Sequence, residues 1–228
     1  MKILVLNGSP KEKSDTMVLT DAFLDGIRPA GHEITCVRIA DKNIKNCQGC
    51  LSCWIRQDGH CMIRDDDMNE LLDTIAASDM ILWSFPLYFH GVPAPLKAVI
   101  DRTNPFLKIS MKADGSVIQH DKLVDLSAKK NVVITGCGFP YYPENFAPLK
   151  LQMRTILGRP ELICVYETPL LNMEIPAIAP LKTNLIAQFT AAGEEYMRQG
   201  RLSDNTLQLL ETPMLPTEMY IHMIDQIG

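Results

Sequence analysis

Short runs rich in β-branched and apolar residues alternate with segments of helical length along most of this chain. That alternation limits the chain to one architecture, a parallel sheet wrapped by helices. The runs Lys2–Leu6, Glu33–Ile39, Asp79–Phe85, Asn131–Thr135 and Leu162–Tyr166 predict five strands. Asp79–Phe85 is a nearly continuous apolar run, as a strand covered on both faces should be. Between them, Asp15–Ile27 carries Val18, Leu19, Ala22, Phe23 and Leu24 close to a helical period. Asp66–Ala77 opens with acidic residues that complement a helix dipole. Ala94–Phe106, Pro148–Leu157 and Leu181–Gln199 complete the predicted helices. Five strands in βαβ order predict a doubly wound α/β domain over residues 1–200.

Three stretches fall outside this rhythm. Ala40–Arg64 is long and irregular and carries a cysteine cluster. Lys108–Lys129 is polar, and its turn signal at Asp114-Gly115 predicts a loop or small hairpin. Residues 201–228 form an extension holding Met214, Tyr220 and Met223, too apolar for a free linker and expected to pack on the domain or on a partner subunit. The net charge of −5 excludes a general nucleic-acid binder, which needs a basic face. No apolar run approaches the roughly 20 residues of a membrane span, and the apolar start Met1–Gly8 reads as a strand, not a signal peptide. A cytoplasmic location is the expectation, with the cysteines serving as thiols for metal or redox work and not as a disulfide framework.

Chemistry is expected where three loops leave the carboxyl ends of strands, the place where open parallel sheets bind ligands. Asn7-Gly8-Ser9-Pro10, followed by Ser14 and Thr16, sets hydroxyls and a helix N-terminus where a phosphate can bind. Gly8 is read as permitting a tight turn. The loop has neither the P-loop pattern nor G-x-G-x-x-G. Pro86, Leu87, Tyr88 and Phe89 place aromatic and apolar groups beside it, suited to a flat ring. Gly136, Cys137 and Gly138 are read as bringing bare backbone up to that ring. Lys97, Asp101 and Arg102 are expected to anchor the surface of their helix, and Asp65, Asp66 and Asp67 to cap theirs. Cys36, Cys137 and Cys164 read as buried small residues. No nucleophile–base pair is present, so no side chain is given an acid–base role.

Cys47, Cys50, Cys53 and Cys61 form C-x2-C-x2-C-x7-C. Four thiolates on one compact loop can reach the iron corners of a [4Fe–4S] cluster. Structural zinc, free thiols and a redox-active cysteine pair are the alternatives this spacing leaves open.

The combination of N-G-S-P at 7–10, C-Q-G-C-L-S-C-W at 47–54, D-D-M at 66–68, P-L-Y-F at 86–89, L-K-A-V-I-D-R at 96–102 and T-G-C-G at 135–138 resembles the NAD(P)H-dependent FMN reductase family of flavodoxin-like proteins. The cysteine pattern is similar to that of the related iron-sulfur flavoproteins. The resemblance implies a sheet of order 2-1-3-4-5 and FMN as cofactor, with Ser9, Pro10, Ser14 and Thr16 at its phosphate. Pro86, Leu87, Tyr88 and Phe89 would line one side of the isoalloxazine, and Gly136, Cys137 and Gly138 its polar edge. It implies NAD(P)H as co-substrate, a quinone, flavin or other small molecule as acceptor, and a homodimer or homotetramer. Two further functions remain open: an electron carrier with a [4Fe–4S] cluster at Cys47–Cys61, and a thiol-based redox sensor. Asp15 departs from the family's phosphate loop, where a small or neutral residue is usual. A carboxylate there repels a phosphate unless it turns away, with Lys11 and Lys13 as offsetting charges.

Overall fold

The computed structural model describes residues 1–115 and 117–226; Ser116, in the turn of the expected hairpin, and Ile227 and Gly228, at the end of the expected extension, lie outside the described residues. The elements run β1 (Lys2–Asn7), α1 (Asp15–Ile27), β2 (Glu33–Arg38), α2 (Ser52–Arg56), α3 (Met68–Ala77), β3 (Met80–Pro86) and α4 (Ala94–Asp101). They continue as β4 (Leu107–Asp114), β5 (Val117–Lys122), β6 (Lys130–Gly136), α5 (Ala147–Leu157), β7 (Glu161–Val165), α6 (Ala179–Gln199), α7 (Asp204–Leu210) and α8 (Thr217–Asp225).

Five strands pair in parallel in the order β2-β1-β3-β6-β7. Setting aside the antiparallel hairpin β4–β5, which is inserted between the third and fourth sheet strands, this is the order 2-1-3-4-5. Because side chains alternate along a strand, each strand feeds two cores. Leu4, Leu6, Trp83, Phe85 and Val133 face α3, α4 and α5. Ile3, Val5, Leu82, Ile134 and Ile163 face α1 and α6. Helices α1 and α6 touch through glycine: a Cβ on Gly26 would come 2.1 Å from the Thr190 carbonyl oxygen, and one on Gly193 would come 2.0 Å from that of Phe23.

Several local expectations shift. The helix begun at Ala94 ends at Asp101, and Asn104–Phe106 forms a separate 3₁₀ turn at Pro105, a residue that lacks the N–H to extend a helix. Helix α3 starts at Met68 and not at Asp66, with Asp67 as its N-cap residue and Asp66 Oδ1 accepting the Met68 amide at 3.2 Å. A five-residue helix, α2, sits inside the irregular stretch. Cys137 and Cys164 are buried, but Cys36 is exposed, since β2 is an edge strand. Arg102 is not on the helix surface; it is 1% exposed. The C-terminal helices lie against the domain: Leu202 and Leu210 join the α1–α6 core, and Leu215 and Tyr220 pack with Leu170 and Ile178. Among the described residues, no helix is long and apolar enough to cross a membrane.

Candidate functional site

The carboxyl ends of β1, β3 and β6 lie side by side, so their loops converge on one rim. The first loop is folded by its own polar side chains. Asn7 Oδ1 accepts the Ser9 amide at 3.0 Å, and Ser9 Oγ accepts the Lys11 amide at 3.3 Å. Ser14 is the N-cap of α1: its Oγ accepts the Met17 amide at 3.2 Å and lies 3.0 Å from Thr16 Oγ1. The first turn of any helix offers further N–H groups without intrahelical acceptors. Gly8 does not serve a left-handed turn. It lacks a side chain because a Cβ would come 2.8 Å from Leu96 Cδ2 and 3.1 Å from Phe85 Cβ, so glycine lets α4 close onto the loop.

The second loop is stitched to the third, with the Leu87 amide donating to the Gly136 carbonyl at 2.7 Å. Tyr88 and Gly91 exchange two backbone hydrogen bonds around Phe89 and His90, both left-handed with φ of 45° and 62°. That two-residue turn normally recruits Asn or Gly. It throws the Phe89 ring fully into solvent, while His90 Nδ1 lies 3.0 Å from the Asn145 carbonyl.

Gly136 also has a packing reason: a Cβ there would meet Thr168 Cγ2 at 2.3 Å. Thr168 Oγ1 in turn donates to the Cys137 carbonyl at 3.2 Å. Burial pushes the Cys137 thiol above its ordinary range. Beneath this rim sits Glu167, fully buried and left-handed at φ 59°. Its Oε2 accepts the Leu215 amide at 3.0 Å, while Oε1 is buried with no partner among the described residues. Burial pushes its carboxyl up to about 6, against the amides of Leu215 and Met214, which pull it down. The tail is tied to the rim a second time by Tyr220, whose hydroxyl donates to the Gly138 carbonyl.

A cleft of about 100 Å³ opens between the three loops. Ser9, Ser14, Thr16, Pro86, Leu87, Tyr88, Gly136, Cys137 and Gly138 all line it. Pro10 and Phe89 do not; Pro10 is exposed, and its carbonyl accepts from Arg38. Thr168 and Pro169 also line the cleft and escaped sequence reasoning; a Thr-Pro pair just after the last strand is the one local signal for them. Lys11 and Asp15 are its charged residues. Asp15 is tied down, paired with Lys11 Nζ at 3.0 Å and accepting from Asn172 Nδ2 at 2.6 Å. A larger cavity, about 880 Å³, lies elsewhere, between the β4–β5 hairpin and α4 and α5, and none of the three loops reaches it.

The cysteine loop stands apart from the sheet. Cys47, Cys50, Cys53 and Cys61 line one small cavity of about 30 Å³ together with Arg102. All seven cysteines are free thiols. Hydrogen bonds from the Ser52 amide and hydroxyl hold the Cys50 thiol below its ordinary range, whereas burial raises that of Cys53. Among the described residues, no three His, Cys, Asp or Glu side chains converge to hold a single metal ion. A cubane takes one thiolate at each of four irons, so its ligands surround a volume and need not meet at a point.

The loop is held from outside. Asn69 clasps Cys61 with Oδ1 on its amide at 2.7 Å and Nδ2 on its carbonyl at 3.1 Å. Asp67 accepts the Asn43 amide at 2.7 Å, and Asp66 accepts the Lys45 amide at 2.9 Å, so these two aspartates staple the loop; Asp66 Oδ1 also accepts the Met68 amide, the first of α3, at 3.2 Å, while Asp67, the N-cap residue, makes no side-chain cap bond. The Arg102–Asp66 ion pair is wholly buried. Burial alone would raise the Asp66 carboxyl, but hydrogen bonds from Arg102 and from the Lys45 and Met68 amides outweigh it and hold Asp66 below the usual carboxylate range. His60 faces away from the cavity, toward Asp73 at 2.9 Å.

The sequence profile described as NADPH-dependent FMN reductase matches residues 1–123. An iron-sulfur flavoprotein of Methanocaldococcus jannaschii is 34% identical over 120 residues, 51% of this chain and 61% of that protein. One from Archaeoglobus fulgidus is 35% identical over 106 residues, 46% of this chain and 47% of that one. The chain thus spans about half the length of the curated relatives it matches. In fold it is similar to an NAD(P)H:quinone oxidoreductase from Methanothermobacter marburgensis, with a TM-score of 0.60 at 17% identity, covering 86% of this chain and 97% of that one. It is similar too to an FMN-dependent NADH-azoreductase from Bacillus anthracis, solved with FMN, with a TM-score of 0.59 at 17% identity, covering 85% and 98%.

Proposed function

The chain belongs to the NADPH-dependent FMN reductase family, and from that premise we propose that it is an FMN-dependent oxidoreductase, taking electrons from NAD(P)H and passing them to a quinone, a flavin or another small acceptor. One observation carries this reading: three loops distant in sequence close a single cleft, with hydroxyls and a helix N-terminus on one side and Pro86, Leu87 and Tyr88 on the other. FMN, when bound, would supply the hydride and electron chemistry. The chain supplies position. Ser9, Ser14 and Thr16 would hold the phosphate. The Ser14 hydroxyl accepts from Met17 and shares one hydrogen bond with Thr16 Oγ1, so one of the two hydroxyls keeps a proton to donate. Lys11 and Asn172 hold Asp15 in place, which offsets its charge toward a phosphate. Pro86, Leu87 and Tyr88 would flank the ring, with Gly136, Cys137 and Gly138 at its polar edge. The cleft is smaller than the roughly 300–1,000 Å³ of closed ligand cavities, so much of the ring would lie open to a nicotinamide or under a partner subunit. The exposed Phe89 would complete that cover in a homodimer or homotetramer.

The four cysteines on one cavity favour a second reading within the first. There they would hold a [4Fe–4S] cluster, a reading supported by the curated relatives being named iron-sulfur flavoproteins. The donor set fits: four free thiols, two of them exposed, on a loop at the surface. Such a cluster would relay single electrons between an external partner and the flavin.

The test is anaerobic purification followed by visible absorption, FMN release, iron and acid-labile sulfide assays, and NADH and NADPH oxidation with a quinone. FMN near one per chain with quinone-dependent turnover is expected. Chain that takes up no FMN overturns the first reading. FMN-replete chain without iron and sulfide overturns the second, and a peroxide-sensitive thiol titre in that protein would favour a sensor.

A further inference from the structure

Arg102 has five N–H donors, and the fold uses four of them. Nη1 donates to the Lys45 carbonyl at 3.1 Å and to Asp66 Oδ2; Nη2 donates to the Ile63 carbonyl at 3.2 Å and to Asp66 Oδ1 at 3.2 Å. The fifth, Nε–H, is buried and has no acceptor among the described residues. The guanidinium cannot lose its proton to escape this, and Asp66 already balances its charge. What remains is a single donor, on a side chain that lines the same cavity as Cys47, Cys50, Cys53 and Cys61. Cys61 is close enough to be among the groups that act on the guanidinium. The two carbonyls it grips, Lys45 and Ile63, lie just outside the first and last cysteines, so the same residue fixes both ends of the loop.

We infer that Arg102 is a positioning residue for a sulfur-ligated group in the cysteine cavity, with its unused Nε–H donating to a sulfur there, Cys61 thiolate or cluster sulfide. This rests on the [4Fe–4S] reading above. Hydrogen bonds to cluster sulfurs stabilise the more negative, reduced form and raise the reduction potential. Residues that orient ligands from behind also hold the metal. Lysine at this position would keep the charge toward Asp66 but would lack the fork that reaches Lys45, Ile63 and the cavity together.

The experiment uses the full chain loaded with FMN and reconstituted anaerobically with ferrous iron and sulfide. Wild type is compared with Arg102→Lys, and FMN content serves as the check that each is folded. In Arg102→Lys the cluster's potential should fall, and iron should pass to a chelator about tenfold faster than in wild type. A second measurement needs no variant: wild type grown on arginine carrying heavy nitrogen, reduced and studied by pulsed EPR, should show an arginine nitrogen coupled to the cluster spin. Wild type that binds FMN but takes up no iron overturns the cluster reading and this inference with it. Wild type that holds a cluster with no coupled arginine nitrogen overturns the role of Arg102 alone. So does a folded Arg102→Lys protein with unchanged potential and iron loss.

Discussion

The rim and the cysteine loop are held by opposite means. At the rim, residues sit where strands end, and the parallel register fixes them: β1, β3 and β6 are neighbours, so their loops meet. The cysteine loop leaves an edge strand, has little secondary structure, and is pinned by one buried ion pair and the Asn69 clasp. Each region hides a carboxyl. Asp66 has a countercharge and is held below the ordinary range; Glu167 has only amides and is pushed above it. A site built on sheet ends is placed by strand register, whereas a site built on a loop borrows a buried ion pair from the core.

Asp66→Ala breaks this contrast most sharply. It leaves the Arg102 charge buried without its partner, which typically costs about 3–5 kcal/mol. Urea unfolding should show that loss, and folded variant should still retain FMN, because among the described residues the hydrogen-bond partners of the pair are Lys45, Ile63 and Met68, none of which lines the cleft. Loss of FMN from folded Asp66→Ala would mean that the two regions are one cooperative unit. Gly136→Ala is the counterpart at the rim. Its Cβ meets Thr168 at 2.3 Å, and overpacking of this kind typically costs about 1–3 kcal/mol. Here FMN retention should fall together with stability.

How much of this was legible in sequence follows the same division. The central strands could be read because burial on both faces leaves apolar runs such as Met80–Phe85 with nothing to confuse them. The rim motifs could be read because Gly, Pro, Ser and aromatic residues mark loops. The reasons for the glycines could not: Gly8 and Gly136 answer to Leu96, Phe85 and Thr168, neighbours only folding supplies. Phe89 looked like a ring-lining residue, yet the left-handed turn at 89–90 sends it outward. Arg102 was unreadable for a physical reason. Arginine is seldom buried, and the partner that permits it lies 36 residues earlier, among three aspartates whose position at a helix start already accounts for them.

A finer test concerns Ser14, which sits at the meeting of fold and ligand. Ser14→Ala removes the cap on α1 and should cost about 1 kcal/mol, with weaker FMN binding besides. Ser14→Asp restores a cap but sets a carboxylate in the cleft. Calorimetry and FMN titration should therefore part company: stability near wild type, affinity well below it. If FMN binds Ser14→Asp as tightly as wild type, the phosphate does not lie at this helix end.

The smallest expected change, and the one that compares the two carboxyls directly, comes from Glu167→Gln. The Glu167 carboxyl titrates near 6 in the folded chain against an ordinary 4.5. Between those values the folded state binds more protons than the unfolded, so stability falls as pH rises through the window, by at most about 1.4 kcal/mol per pH unit. Asp66 has the opposite sign: its contribution is in place above the ordinary carboxylate range and is lost only as pH falls through its depressed folded value. Replacing Glu167 by Gln keeps an oxygen for the Leu215 amide and removes the proton uptake. Relief of the buried charge and loss of charge-assisted bonds should nearly cancel at pH 7, leaving a net change below about 1 kcal/mol. The wild-type slope between pH 4.5 and 6 should flatten, while the acid-side loss due to Asp66 stays. Urea midpoints across that range decide the matter: Asp21 and Glu161, also raised by burial, leave a residual slope of the same sign, but a slope unchanged in Glu167→Gln would place the titrating group elsewhere and remove the uncompensated carboxyl from the rim side of the comparison.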